Sequence, residues 1–159
     1  MHIRVISVGR IREPFYRAGL EEYIKRLRPY ARWELIEGLE EKLDPRAGAA
    51  EVAIALEREG RRLLALLRAD ELVVALDRNG RQFGSEALAD WLEQIMGSGC
   101  SRLSFIIGSA NGLDSAVLRR ADHRLALSAL TFPHQLAVLV LAEQVYRGFR
   151  IIRGEPYHK

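Results

Sequence analysis

The side chains with chemistry to offer gather at one end of this chain. Three of its four histidines, His123, His134 and His158, lie between Leu103 and Lys159. Over the same stretch seven arginines and lysines face four acids, so the whole net charge of +3 resides there. Localised basicity implies a face for an anionic partner rather than a uniformly sticky surface. The closing residues mix Arg150, Arg153 and Lys159 with Tyr157 and His158. Bases stack on rings and phosphates meet guanidinium groups, so this mixture suits RNA. It suits equally a tail docked on its own domain, with Ile151, Ile152, Pro156 and Tyr157 as anchors, and composition does not decide between the two. The histidines and acids lack metal-ligand spacing, so no metal is expected.

Two further stretches have loop chemistry. Gly108-Ser109-Ala110-Asn111-Gly112 follows an apolar run. It is neither a dinucleotide fingerprint nor a phosphate loop, and taken alone it reads as a turn whose glycines supply positive φ. Ser128 to Phe132 leads into Pro133, and Ser128 and Thr131 read first as caps for the helix that follows. Glu143 lies four residues before Arg147, and an ion pair on one helix face is its simplest role.

The elements that must position these residues follow from periodicity. Short apolar runs at 1–8, 33–36, 71–77, 102–108 and 125–127 read as strands. The stretches 14–27, 49–67, 85–96, 114–121 and 133–148 read as helices. Residues 38–48 read as a loop and Arg78-Asn79-Gly80-Arg81 as a turn, with Ser85 as N-cap of the third helix. Alternating strands and helices indicate one α/β domain over residues 1–159, a mostly parallel sheet with helices on both faces. Ligands in such folds bind beyond the carboxyl ends of the strands. That rule selects Leu76-Asp77, Gly108 to Gly112, and Leu127 to Phe132. The run Leu136 to Ala142 is apolar on every side, which points to a second copy of the chain as its cover and hence a homodimer.

A chain of 159 residues with 48% hydrophobic and 28% charged content is one ordinary globular domain. Its single cysteine, Cys100, fits a reducing compartment. Met1-His2-Ile3-Arg4 runs straight into a strand without a signal peptide, and no apolar run approaches the roughly 20 residues that span a bilayer. A cytoplasmic protein without a membrane partner is expected.

The combination of motifs resembles one family. Phe105-Ile106-Ile107-Gly108, Asn111-Gly112-Leu113, Leu127-Ser128-Ala129-Leu130-Thr131, Pro133-His134-Gln135-Leu136, Glu143-Gln144-Val145-Tyr146-Arg147 and Pro156-Tyr157-His158-Lys159 are similar to the bacterial 23S rRNA pseudouridine-N3 methyltransferases of type H, in the SPOUT class. The likeness covers essentially the whole chain. It implies a homodimer, a C-terminal trefoil knot, and S-adenosylmethionine as cofactor. The implied cofactor-binding residues are Leu76, Gly108, Leu127, Ser128, Ala129, Leu130, Thr131 and Phe132, on the same three strand ends that the fold rule selects. Two positions depart from the family pattern: Ser109 stands where a second glycine is usual, and Val138 where the helix usually carries arginine.

The reaction so implied methylates N3 of a pseudouridine in large-subunit rRNA, on the ribosome. N3 carries a proton that must leave, so the protein aligns the reactants and helps remove it. His158 is the first candidate for that base or positioner, with Tyr157 beside it and His134 as alternative. The ordinary role of His134, holding a helix start, has equal standing. Arg150, Arg153 and Lys159 would hold phosphates.

Overall fold

A computed structural model describes residues 1–157. In chain order the elements are β1 (His2–Ser7), α1 (Pro14–Leu27), β2 (Arg32–Glu37), α2 (Ala49–Leu66), β3 (Leu72–Arg81), α3 (Ser85–Gly97), β4 (Arg102–Ile107), α4 (Ser115–Arg120), β5 (His123–Leu125) and α5 (His134–Ile152). The five strands form one sheet in the order β2-β1-β4-β3-β5. Every pairing is parallel, so all carboxyl ends share one edge.

Both faces of the sheet are covered, which is why its strands are continuous apolar runs. Ile3, Val5, Val74, Leu103, Phe105 and Ile107 pack with residues of α1, α3 and α5 on one side. Ile6, Val8, Val73 and Ile106 pack with Leu63 of α2 and Val117 of α4 on the other. This alternation is the two-residue period of a strand.

Several sequence expectations are corrected. The expected turn at 78–81 is strand: β3 continues to Arg81 and pairs with Leu125 across a register shift after Leu76. Gly80 permits this, because a Cβ there would lie 2.6 Å from the Arg124 carbonyl carbon and the Leu125 nitrogen. The last strand is His123–Leu125 rather than 125–127, since pairing with Val74–Leu76 sets its bounds. Gly84, not Ser85, is the N-cap of α3; the Ser85 hydroxyl donates instead to Gln144 Oε1 at 2.8 Å. Helix α5 runs past Gly148 to Ile152, because Gly148 is where the helix closes on Leu92 of α3.

The apolar run of α5, read as a subunit face, is largely used inside the protomer. Ala137, Val138, Leu141 and Ala142 are buried, in the core that α1 and α3 share with the sheet. Leu136, Leu139 and Val140 stay half-buried.

A buried polar knot fixes the amino end of the sheet. The Glu71 carboxylate accepts from Arg4 Nη1 at 2.9 Å, from Ser104 Oγ at 2.7 Å and from the Arg68 N–H at 2.6 Å. Burial pushes this carboxyl up, but the three donors outweigh it and hold it below the usual carboxylate range.

Candidate active site

Three strand ends at the carboxyl edge build one cavity. The β4 end is a tight turn: the Gly112 N–H donates to the Ser109 carbonyl at 2.9 Å, and Gly112 adopts φ +93°. That folds the Gly112 carbonyl back against the Gly108 α-carbon, leaving no room for a side chain there. Asp114 then caps α4, its Oδ1 accepting from the Ala116 N–H at 2.8 Å.

The β3 end supplies Leu76, Asp77 and Arg78. Asp77 accepts from the Asn79 N–H at 3.1 Å and faces Arg124 Nη1 at 3.6 Å. The third wall is the segment between β5 and α5. Its entry is tied by the Ala126 N–H to the Arg81 carbonyl at 2.9 Å. Ser128 does not cap α5 as its sequence position implied: its hydroxyl accepts from the Leu130 N–H at 2.9 Å, a local turn. Among the described residues no side chain caps α5, and Pro133 occupies the N-cap position.

These walls enclose about 760 Å³, within the range of small-molecule sites. Leu76, Gly108, Leu127, Ser128, Leu130, Thr131 and Phe132 all line it, and Ala129 does not. His134 and Ala137, on the first turn of α5, close one side. Leu130 is 73% exposed beside the opening. The hydroxyl oxygen of Ser109 is buried without a hydrogen-bond partner among the described residues. Val138 is fully buried in the core and takes no part in the wall.

Sequence reasoning left several lining residues unselected, Arg78 and Ala137 among them. Arg78 was hidden in the apparent turn, although it directly follows the expected strand 71–77. Ala137 lies one helical turn beyond Pro133, so the start of α5 was the available signal.

His134 is held where it stands. Its ring covers Gly9, where a Cβ would come within 2.5 Å of Nε2, and Nε2 meets the Arg10 carbonyl at 2.9 Å. The neighbouring Gln135 Oε1 accepts from the N–H groups of Arg12 at 2.6 Å and Glu13 at 3.0 Å. Two consecutive side chains thus clamp the β1–α1 loop to the cavity wall.

The remaining candidates lie at the other end of α5. Tyr157 donates to Glu143 Oε1 at 3.2 Å, packs edge-on to Tyr146 at 4.9 Å and lies under the Arg147 guanidinium at 4.7 Å. Glu143 also takes Arg147 at 2.6 Å, the expected helix pair. Arg150 pairs with Glu155 at 2.9 Å. Arg153 covers the Tyr30 ring at 4.5 Å. None of Tyr157, Arg150 and Arg153 lines the cavity. His158 and Lys159 lie outside the described residues. Among the described residues no three His, Cys, Asp or Glu side chains cluster as a metal site, and no helix is long and apolar enough to cross a membrane.

A family model described as "Predicted SPOUT methyltransferase" matches residues 1–158. The chain belongs to the SPOUT methyltransferase family. Relatives named "Ribosomal RNA large subunit methyltransferase H" align with the whole of this chain over their own full length. They include proteins of Syntrophomonas wolfei at 52% identity, Clostridium kluyveri at 46% and Enterococcus faecalis at 44%. A SPOUT methyltransferase needs a pocket for a methyl donor, and the carboxyl-edge cavity has the size and place for one.

Proposed function

We propose that this SPOUT methyltransferase transfers a methyl group to N3 of a pseudouridine in large-subunit rRNA, on the assembled ribosome and in the cytoplasm. The observation that carries the reading is the cavity itself. Its walls gather apolar and small polar residues with Asp77, Arg78 and His134, from three strand ends and the start of α5, in a chain 44–52% identical over full length to named rRNA methyltransferases.

The cavity fits S-adenosylmethionine. Leu76, Leu127, Leu130 and Phe132 give apolar faces for a flat ring. The peptide groups of Leu127, Ser128, Leu130, Thr131 and Phe132 can read its polar edge, so no polar side chain is required. The bare α-carbon of Gly108 lets backbone approach closely, and Asp77 offers the one carboxylate of the lining. When bound, the cofactor supplies a methyl group made electrophilic by its sulfonium.

The chain's own residues then align and deprotonate. N3 must lose its proton as the new nitrogen–carbon bond forms, and His158 is the proposed acceptor, with Tyr157 orienting the base. His134 shapes the cavity wall. Arg150, Arg153 and Lys159 take phosphates. Because Tyr157, Arg150 and Arg153 stand away from their own cavity, a homodimer is inferred in which each tail serves the neighbour's site. The half-buried pair Leu136 and Val140, one helical turn apart on α5, supports that pairing. A C-terminal trefoil knot belongs to the same reading.

The test is tritiated-methyl incorporation into ribosomes from cells lacking the modification, with calorimetric titration of S-adenosylmethionine. Stoichiometric methylation at pseudouridine N3, blocked on ribosomes already modified, is the expected result. Cofactor binding without incorporation would reject the substrate assignment.

A further inference from the structure

Charge at the carboxyl edge is mostly neutralised within the chain. Arg12 pairs with Glu40, Arg17 with Glu37 and Arg124 with Asp77. Two exposed arginines break this pattern. Arg10 directly follows Gly9, under the His134 ring, and its guanidinium lies over the bare α-carbon of Gly38 at the end of β2. Arg78 lines the cavity at the end of β3. Among the described residues neither guanidinium meets a carboxylate. An unpaired guanidinium keeps all five donors available, which is what a phosphate needs.

Their placement is specific. β2 and β3 are separated by β1 and β4, so the strand ends beneath the two arginines are three spacings apart, about 14 Å. His134, which lines the cavity, sits against Gly9 and Arg10 on the β1 side, and Arg78 lines it on the β3 side. The Arg10 backbone is also fixed: its carbonyl is bound by His134, the Ile11 N–H donates to Glu37, and Gln135 binds the N–H groups of Arg12 and Glu13. A cation held on a clamped loop loses less freedom on binding than one on a free loop.

The geometry points to Arg10 and Arg78 as phosphate contacts that straddle the cavity mouth, gripping the RNA strand on either side of the nucleotide presented to it. This rests on the RNA reading above and names the surface that serves it. The strand crosses the carboxyl edge of the sheet from the β2 end to the β3 end, and the nucleotide between the two contacts faces the methyl donor. Phosphate contacts position rather than specify, so the pair sets the register of the strand.

The experiment measures binding of the full-length protein to purified bacterial ribosomes across a salt series. The variants are Arg10→Gln, Arg78→Gln, their double, the charge-preserving Arg10→Lys and Arg78→Lys, and Arg32→Gln at the opposite edge of the sheet. Each Gln substitution is expected to reduce the log–log salt slope by roughly 0.7 to 0.9, the double by twice that. The Lys variants and Arg32→Gln should keep the wild-type slope, and Arg10→Gln and Arg32→Gln should titrate S-adenosylmethionine normally. Unchanged slopes in both Gln variants would overturn the inference. So would Arg78→Gln weakening cofactor binding tenfold at constant slope, which would assign that arginine to the cofactor's carboxylate. Wild-type protein that binds ribosomes with the expected slopes but transfers no methyl would leave the phosphate contacts standing and reject the catalytic reading alone.

Discussion

The Nε2 of His134 and the carbonyl oxygen of Arg10 stand 2.9 Å apart. A carbonyl only accepts, so Nε2 carries the hydrogen and Nδ1 is the nitrogen left with a lone pair in the neutral ring. Since Nε2 is committed to the β1–α1 loop, we propose that His134 is a positioning residue. His134→Ala should cost about 1 kcal/mol of stability and reduce methyl transfer several-fold. His134→Gln, which offers a donor at similar reach, should restore most of both. Thermal melts and tritium incorporation check this; a Gln variant that folds normally but transfers nothing would give His134 a proton-transfer role instead.

Gly108 has no space for a methyl group because the Gly112 carbonyl folds against its α-carbon. Gly108→Ala must push the turn outward into the cavity. Expected are a loss of about 1–3 kcal/mol and at least tenfold weaker S-adenosylmethionine binding by calorimetry. Gly97, with open space around it at the end of α3, is the control. Gly97→Ala should be neutral or gain up to about 1 kcal/mol without touching cofactor affinity.

Glu71 makes the acid limb of the stability curve predictable. Burial opposes its charge, but Ser104, the Arg68 N–H and Arg4 hold its folded-state pKa below the unfolded value. Its stabilisation is therefore fully present above the unfolded value and disappears as pH falls through the lowered folded one. Urea unfolding of the wild type should show stability falling below about pH 4. Glu71→Gln removes the buried charge that faces Arg4, leaving it only Glu34 at 3.5 Å, and should cost about 3 kcal/mol at neutral pH. Its stability should fall less steeply toward acid, because the titrating group is gone.

What could be read from the residues, and what could not, divides by range of interaction. The helix from Pro14 to Leu27 was legible in full, since Pro14 at the first turn and the spacing of Leu20, Tyr23 and Leu27 are local signals. The strand ends that form the cavity followed from apolar runs and one rule about parallel sheets. The strand order β2-β1-β4-β3-β5 was not legible, because pairing is set between residues far apart in the chain. Asn79-Gly80 is a turn signal locally, yet Gly80 lies flat against Arg124 and Leu125 because a neighbouring strand occupies that space. The clamp from Gln135 to Arg12 and Glu13 spans more than 120 residues, so no window of sequence contains both ends. Ser128 was misassigned for the opposite reason: its hydroxyl serves Leu130, two residues on, where both a turn and a cap were compatible with its type.

The tail anchor separates two roles of one tyrosine. Burial first, then the hydrogen bond with Tyr23 and the charge of Glu143, push the Tyr157 hydroxyl well above the usual tyrosine range, so it stays protonated and donates. It cannot itself serve as a base near neutral pH. Tyr157 itself is held by its bond to Glu143, its edge contact with Tyr146 and the Arg147 cation over its ring, and we propose that this anchors the tail for catalysis. Tyr157→Phe removes only the first of these and should lower kcat a few-fold, consistent with one lost hydrogen bond of about 1 kcal/mol. Tyr157→Ala removes all three and should lower kcat at least a hundredfold, with S-adenosylmethionine affinity unchanged because Tyr157 lies outside the cavity. Single-turnover methylation beside calorimetry reads the two quantities separately. A Phe variant as inactive as the Ala variant would show that the hydroxyl touches the substrate, and the tail would then act through Tyr157 rather than be merely held by it.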